Sequence, residues 1–246
     1  MHIIQKPSPN FDERPSGPID ILILHYTGMP SCEAALTRLC DPAAKVSSHY
    51  TVSEGGEIYR HVDEKFRAHH AGISFWAGAV NLNARSIGIE ICNPGHEHGY
   101  RDFPKKQIAA VVELCRDIIK RTNILPQRVL AHSDVAPNRK QDPGEKFPWE
   151  LLAKKGVGHW VKPEPLSKKG VSFKRNDAGA HISAMQRMFS IYGYDVDMSG
   201  TFDEKTEFAV TAFQRHFRQK RVDGIADLST VATLHRLIKA LPPAAV

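Results

Sequence analysis

Two histidines and an aspartate, His25, His132 and Asp142, carry the chemistry this chain can be read for. His25 ends the apolar run Ile21-Leu22-Ile23-Leu24, and His132 ends a second apolar run. Asp142 follows ten residues later and is fixed in its loop by Pro143. A single histidine at a strand end is ordinarily a hydrogen-bonded structural residue. Two of them, joined by an aspartate in a restrained loop, are instead three ligands for one metal ion. Three protein ligands leave the fourth position of zinc open for water, which is the arrangement of a catalytic site. With two neutral imidazoles and one carboxylate the site keeps a net charge of +1, enough to acidify a water toward about pH 7 or to polarise a carbonyl. Manganese or iron fit the same donors. The expected chemistry is zinc-dependent hydrolysis with one zinc per chain.

Hydrolysis of an amide also needs a proton carrier. In Ser86-Ile87-Gly88-Ile89-Glu90-Ile91-Cys92 the isoleucines alternate with Gly88, Glu90 and Cys92, so Glu90 stands on a sheet face beside a small residue. It is the candidate general acid/base; otherwise it is a solvated surface glutamate. Lys140, two residues before Asp142, is the candidate support for an oxyanion, and otherwise an exposed loop lysine. Tyr50 in Ser48-His49-Tyr50 and His70 in His69-His70-Ala71-Gly72 are candidate substrate contacts, although spacing alone places them equally well in core or surface.

These residues need a scaffold that brings strand ends together. Residues 20–26 form an apolar run suited to a buried central strand. Ser31 caps a short helix reaching Leu39, with Glu33 in its first turn. A hairpin is expected from His49–Ser53 to Glu57–Val62 through Glu54-Gly55-Gly56. Pro104 opens a helix whose face is Ile108, Val111, Val112, Cys115, Ile118 and Ile119, ending at Asn123, and a strand follows near 128–132. The pattern predicts an α/β fold, a mixed central sheet flanked by helices with the zinc site at one edge.

The chain has 246 residues, 41% hydrophobic and 24% charged, which suits one larger and one smaller folded unit and excludes a largely disordered protein. No segment approaches the roughly 18 to 20 apolar residues of a membrane span. The start of the chain shows no export segment, which favours the cytoplasm, with the periplasm or cell envelope as the alternative. The net charge of +6 comes from one basic stretch between Lys154 and Arg175. Such a run reads as a solvated linker rather than a nucleic-acid arm, so no nucleic-acid partner is expected. Cys32, Cys40, Cys92 and Cys115 show no C-x-x-C pair and read as free thiols, although pairing cannot be read from spacing.

After Trp160 the composition shifts. Residues 1–160 are expected to form the catalytic unit, 161–175 a basic linker, and 176–246 a three-helix unit. Its stripes are Ile182, Met185, Phe189 and Tyr192; Thr206, Val210, Phe213 and Phe217; and Leu228, Val231, Leu234 and Ile238. Deleting the residues after about Lys174 is expected to leave hydrolysis of soluble fragments mostly intact.

From Ile21 to Trp149 the sequence resembles the zinc-dependent N-acetylmuramoyl-L-alanine amidases of the amidase-2 type. The likeness runs through His25-Tyr26-Thr27, Ser48-His49-Tyr50, His70-Ala71-Gly72, Ile87-Gly88-Ile89-Glu90, His132-Ser133-Asp134 and Lys140-Gln141-Asp142-Pro143-Gly144. It implies zinc on His25, His132 and Asp142, Glu90 as acid/base, Lys140 at the oxyanion and Tyr50 near the site. The implied reaction cleaves the amide between the lactyl group of N-acetylmuramic acid and the L-alanine of the stem peptide. His69 departs from the family pattern, which more often carries tryptophan there. Residues 177–238 resemble a three-helix peptidoglycan-binding domain, through Tyr192-Gly193-Tyr194, Gly200-Thr201-Phe202-Asp203, Phe213-Gln214 and Asp223-Gly224. Peptidoglycan or its muropeptide fragments are the implied partners. The alternative is a non-catalytic peptidoglycan recognition protein with the same groove.

Overall fold

The computed structural model describes residues 1–167 and 170–242; Lys168 and Lys169 of the expected linker, and the last four residues of the expected helical unit, lie outside the described residues. Strands β1 (Ile3–Gln5), β2 (Phe11–Glu13) and β3 (Ile21–Tyr26) lead to helix α1 (Cys32–Cys40). The hairpin β4 (Tyr50–Val52) and β5 (Ile58–Arg60) follows, then the short strands β6 (Phe66–Ala68), β7 (Phe75–Trp76) and β8 (Ala79–Val80). Next come β9 (Ser86–Ile91), α2 (Lys105–Thr122) and β10 (Val129–Ala131). The one-turn helix α3 (His132–Val135) and the short α4 (Trp149–Lys154) complete this part. Three more helices end the chain: α5 (Ala180–Tyr192), α6 (Glu204–Phe217) and α7 (Leu228–Lys239).

The mixed sheet predicted from the sequence is present, six-stranded in the order β1-β5-β4-β9-β3-β10. β4, β9, β3 and β10 run parallel, while β5 pairs antiparallel with β4. Parallel neighbours put their carboxyl ends on one edge, where open α/β sheets bind ligands. Ser31 caps α1 through its side chain, and Pro104 and left-handed Asn123 bound α2, as their residue types predict. The turn of the hairpin needs Gly56, whose φ is +93°.

Alternation divides the core into two layers. Leu22, Leu24, Ile87, Ile89 and Ile91 face α2 and pack on Ile108, Val111, Leu114, Cys115 and Ile118. Ile21, Ile23 and Leu130 point the other way, into one cluster with Trp76, Leu82 and the apolar faces of α5, α6 and α7. The C-terminal helices therefore pack on one another and also on the sheet. The first two helical stripes are buried as expected. The third is rotated, because Leu228 is 51% exposed while Thr230, Thr233, Leu234 and Leu237 face inward. The inward threonines are tolerated because their hydroxyls bond to Asp227 Oδ1 (2.8 Å) and the Ser229 carbonyl (2.6 Å).

The cysteine expectation needs correction. Cys32 and Cys92 form a disulfide with Cα atoms 5.3 Å apart, while Cys40 and Cys115 are free. Cys32 opens the helix that follows β3, and Cys92 follows the adjacent β9, so strand pairing brings together residues 60 apart in the chain. No helix among the described residues is long and apolar enough to cross a membrane.

Candidate active site

The register of three parallel strands assembles the site. His25 on β3 lies opposite Glu90 on β9, and Leu24 lies opposite Ala131 at the end of β10, so His132 follows directly beside His25. The sequence reading ended a strand on His132; in the structure the strand stops at Ala131 and His132 opens α3. The Ser133 amide donates to the Asp142 carbonyl at 3.0 Å, which closes the loop and returns Asp142 to the two histidines. The Asp142–Pro143 peptide is cis. His25 Nδ1, His132 Nδ1 and Asp142 Oδ2 form a triangle with edges of 3.0 Å, and all three residues are buried.

The surrounding hydrogen bonds assign the protons. The Ser86 hydroxyl donates to the Leu82 carbonyl at 2.7 Å and so accepts from His70 Nε2 at 3.2 Å. His70 Nδ1 then offers a lone pair to His25 Nε2–H at 3.1 Å, leaving the lone pair of His25 Nδ1 free. His132 Nε2 faces the Ala71 carbonyl at 3.1 Å, and a carbonyl only accepts, so a neutral His132 also keeps its lone pair on Nδ1. Burial, followed by the neighbouring His132, lowers the His25 pKa to about 4 and keeps that ring neutral. Burial opposes the charge of Asp142, and a proton on His132 or His25, when either ring carries one, holds its carboxyl well below the usual carboxylate range. With both rings neutral, three lone-pair donors converge with no proton between them, an arrangement that repels unless a cation sits among them. Their separations are close to those of ligands about 2.0–2.2 Å from a shared zinc, so the residues fit the expected ion.

Glu90 and Lys140 line the same cavity, which has a volume of about 330 Å³. The Glu90 Oε2 atom is buried without a hydrogen-bond partner among the described residues. Burial, and then the charge of Asp142, push its pKa well above the usual value, against the opposing charge of Lys140. A carboxyl held in this way keeps its proton to higher pH than an exposed glutamate, as a group that shuttles a proton requires.

Of the two candidate substrate contacts, His70 reaches the cavity wall, but both of its ring nitrogens are engaged in the relay that orients His25. Tyr50 does not reach the site. It belongs to the α2 side of the sheet, and its hydroxyl donates to Glu64 Oε1 at 2.8 Å. β4 has two faces, and Tyr50 lies on the one opposite His49 and Thr51. The departing residue His69 lines the cavity and contacts Asp12 at 2.8 Å.

Sequence reasoning missed two groups on the rim. The Tyr26 hydroxyl donates to His96 Nδ1 at 3.0 Å, and His96 Nε2 faces Glu145 at 3.2 Å. Arg139 donates to the carbonyls of Ala71 and Ile73, which ties the loop carrying Lys140 and Asp142 to the segment after His70. Arg139 acts through backbone carbonyls, which no side-chain pattern encodes, and His96 lies in a loop without periodicity.

A family model described as N-acetylmuramoyl-L-alanine amidase matches residues 15–145, and one described as a peptidoglycan binding domain matches residues 178–234. The N-acetylmuramoyl-L-alanine amidase AmiD of Escherichia coli is 37% identical over 237 residues, covering 90% of this chain and 83% of that protein. The structure of E. coli AmiD in complex with the substrate anhydro-N-acetylmuramic acid-L-Ala-D-gamma-Glu-L-Lys superposes with a TM-score of 0.76 at 34% identity, covering 93% of this chain and 91% of that one. AmpDh3 from Pseudomonas aeruginosa, solved in complex with anhydromuramic pentapeptide, gives 0.75 at 30% identity, covering 93% and 94%. With the first family model spanning more than half of its length, the chain belongs to the N-acetylmuramoyl-L-alanine amidase family.

Proposed function

We propose that this amidase is zinc-dependent, with one zinc held by His25, His132 and Asp142, and that it acts on muropeptides of the kind bound to AmiD and AmpDh3. The bond cleaved is the amide joining the lactyl carbonyl of N-acetylmuramic acid to L-alanine. The convergence of two Nδ1 lone pairs and a carboxylate oxygen on one point, next to the unpartnered Glu90 Oε2, carries this reading. Zinc bound there supplies Lewis-acid charge that polarises the carbonyl and makes water more acidic.

The protein's own groups account for the remaining chemistry. Glu90 takes a proton from the attacking water and delivers it to the alanine nitrogen as the carbon–nitrogen bond breaks; the second water proton passes from the new carboxyl to the amine, which leaves a lactyl carboxylate and an alanine ammonium group. The Lys140 ammonium stabilises the negative oxygen developing on the carbonyl. His70 holds the His25 ring in the tautomer that keeps Nδ1 available. The helical part is the unit that engages the wall.

Incubating the purified protein with anhydromuropeptides and analysing products by mass spectrometry tests this directly. Free stem peptides beginning with L-alanine are expected, lost on chelation and restored by zinc. His25→Ala is expected to lose stoichiometric zinc, because two protein ligands remain. Full zinc occupancy without any cleavage would make the chain a receptor rather than an enzyme.

A further inference from the structure

The turn that presents His132 is held from the C-terminal helices. Asp134, two residues after His132, is 1% exposed and accepts three hydrogen bonds. The Ala131 amide donates to Oδ2 at 2.8 Å, which fixes the junction between β10 and α3. The other two donors come from the far part of the chain: the Tyr194 hydroxyl to Oδ1 at 2.7 Å and His216 Nδ1 to Oδ2 at 2.7 Å. Tyr194 is 1% and His216 3% exposed. Each is locked by packing, Tyr194 edge-on to Trp76 at 4.9 Å and His216 stacked between Trp149 and Phe217 at 3.7 Å from each. The turn reaches the other ligand as well, since the Ser133 amide donates to the Asp142 carbonyl at 3.0 Å.

We infer that Tyr194 and His216 are positioning residues for the metal triad: through Asp134 they set the turn that aims His132 and braces Asp142, so the helical part completes the amidase site besides any contact with the wall. This inference rests on the metal reading proposed above. It follows from the chemistry of a buried carboxylate, which needs donors on both oxygens, and here two of the three donors lie outside the amidase part. Without them the carboxylate must turn toward water or recruit other donors, and either change moves the Ala131–His132 junction. Groups that orient metal ligands typically alter metal affinity by about 10–100-fold when removed.

The test measures zinc affinity of the full chain by competition with a chromophoric chelator, alongside thermal melting and steady-state kinetics at saturating zinc. Tyr194→Phe deletes one hydroxyl and keeps the ring packing. His216→Phe keeps the stack and removes the donor, whereas His216→Asn restores a donor near the position of Nδ1. Tyr194→Phe and His216→Phe are expected to weaken zinc binding about tenfold. KM is expected to stay within about twofold at saturating zinc, and His216→Asn to recover most of the affinity. Leu234→Ala, in the helical core and away from Asp134, is the stability control and is expected to lower the melting temperature with zinc affinity unchanged. Equal zinc affinity in wild type, Tyr194→Phe and His216→Phe overturns the inference, as does a loss in Leu234→Ala as large as theirs. A wild-type chain that binds no zinc overturns the metal reading, and this inference with it.

Discussion

Gly88 lies directly beneath His70: a Cβ built on Gly88 would stand 2.5 Å from both Cγ and Nδ1 of the imidazole. The glycine's role here is space rather than backbone freedom, since it sits within the extended strand β9. His70 in turn holds His25 through the 3.1 Å bond between His70 Nδ1 and His25 Nε2. Gly88→Ala must therefore push the ring off the sheet and break the relay. Overpacking of this kind costs about 1–3 kcal/mol, and losing a partner of a metal ligand weakens metal binding by about 10–100-fold. Thermal melts with a zinc titration check both effects. Unchanged zinc affinity in this variant would separate His70 from the task of orienting His25.

Glu90 dictates the acid side of the pH profile. It accepts a proton only when ionised, and burial together with Asp142 raises its pKa well above the ordinary 4.5. The ionised fraction, and with it kcat/KM, falls as pH drops through that raised value. Lys140 opposes the shift, so Lys140→Gln is expected to raise the Glu90 pKa further and move the acid limb to higher pH. Glu90→Gln is expected to keep its zinc and lose about 10²–10⁴-fold in turnover. A Lys140→Gln profile whose acid limb does not move would show that the two groups do not interact.

Stability is expected to fall in mild acid because of histidines away from the triad. His49 accepts from the Gly88 amide at 3.0 Å, and His61 bridges the Lys6 carbonyl and the Thr51 hydroxyl at 2.7 and 2.8 Å. Burial lowers each pKa from 6.5 to about 4, helped at His49 by the Arg14 charge and opposed at His61 by its bond to the Lys6 carbonyl. Above pH 6.5 both rings are neutral whether folded or unfolded, so they confer no pH dependence there. Between 6.5 and about 4 the unfolded chain binds protons that the fold refuses, and stability drops as pH falls. The loss approaches about 3 kcal/mol for each histidine at the bottom of that window. Urea melts at several pH values check this, and His49→Gln and His61→Gln should each flatten the slope. A slope unchanged in both variants would assign the acid sensitivity to other groups.

The catalytic constellation was legible in the sequence because its members sit where local rules are strong. An apolar run ending in histidine, strict alternation through Glu90 and an aspartate before proline each specify local geometry on their own. Parallel strand pairing then needs only to align the ends, as it does for His25 and Glu90. What stayed hidden depends on pairings that no local pattern records. The Cys32–Cys92 bond follows from strand adjacency, and Tyr50 was misplaced because its neighbourhood fixes the strand and leaves the face open. Asp134 reads in the sequence as the third residue of a His-Ser-Asp motif, while two of its partners, Tyr194 and His216, lie 60 and 82 residues away.

The cover that the C-terminal helices give the sheet reverses the expectation for truncation. Ile21, Ile23, Trp76, Leu82, Leu130 and Val135 are each at most 2% exposed and belong to the cluster completed by α5, α6 and α7. Fully burying such a side chain is worth about 1.5–3 kcal/mol. Exposing only a third of that burial over the six removes about 3–6 kcal/mol, a large part of the roughly 5–15 kcal/mol that holds a domain together. Asp134 would lose Tyr194 and His216 in the same cut. A chain ending at Lys174 is therefore expected to melt far below the full protein or aggregate, and to lose hydrolysis of soluble muropeptides along with wall binding. Circular dichroism melts and a soluble-substrate assay on the same preparation decide the matter. A truncated chain that melts cooperatively near the full-length temperature and cleaves at the full-length rate would show that the sheet face covers itself.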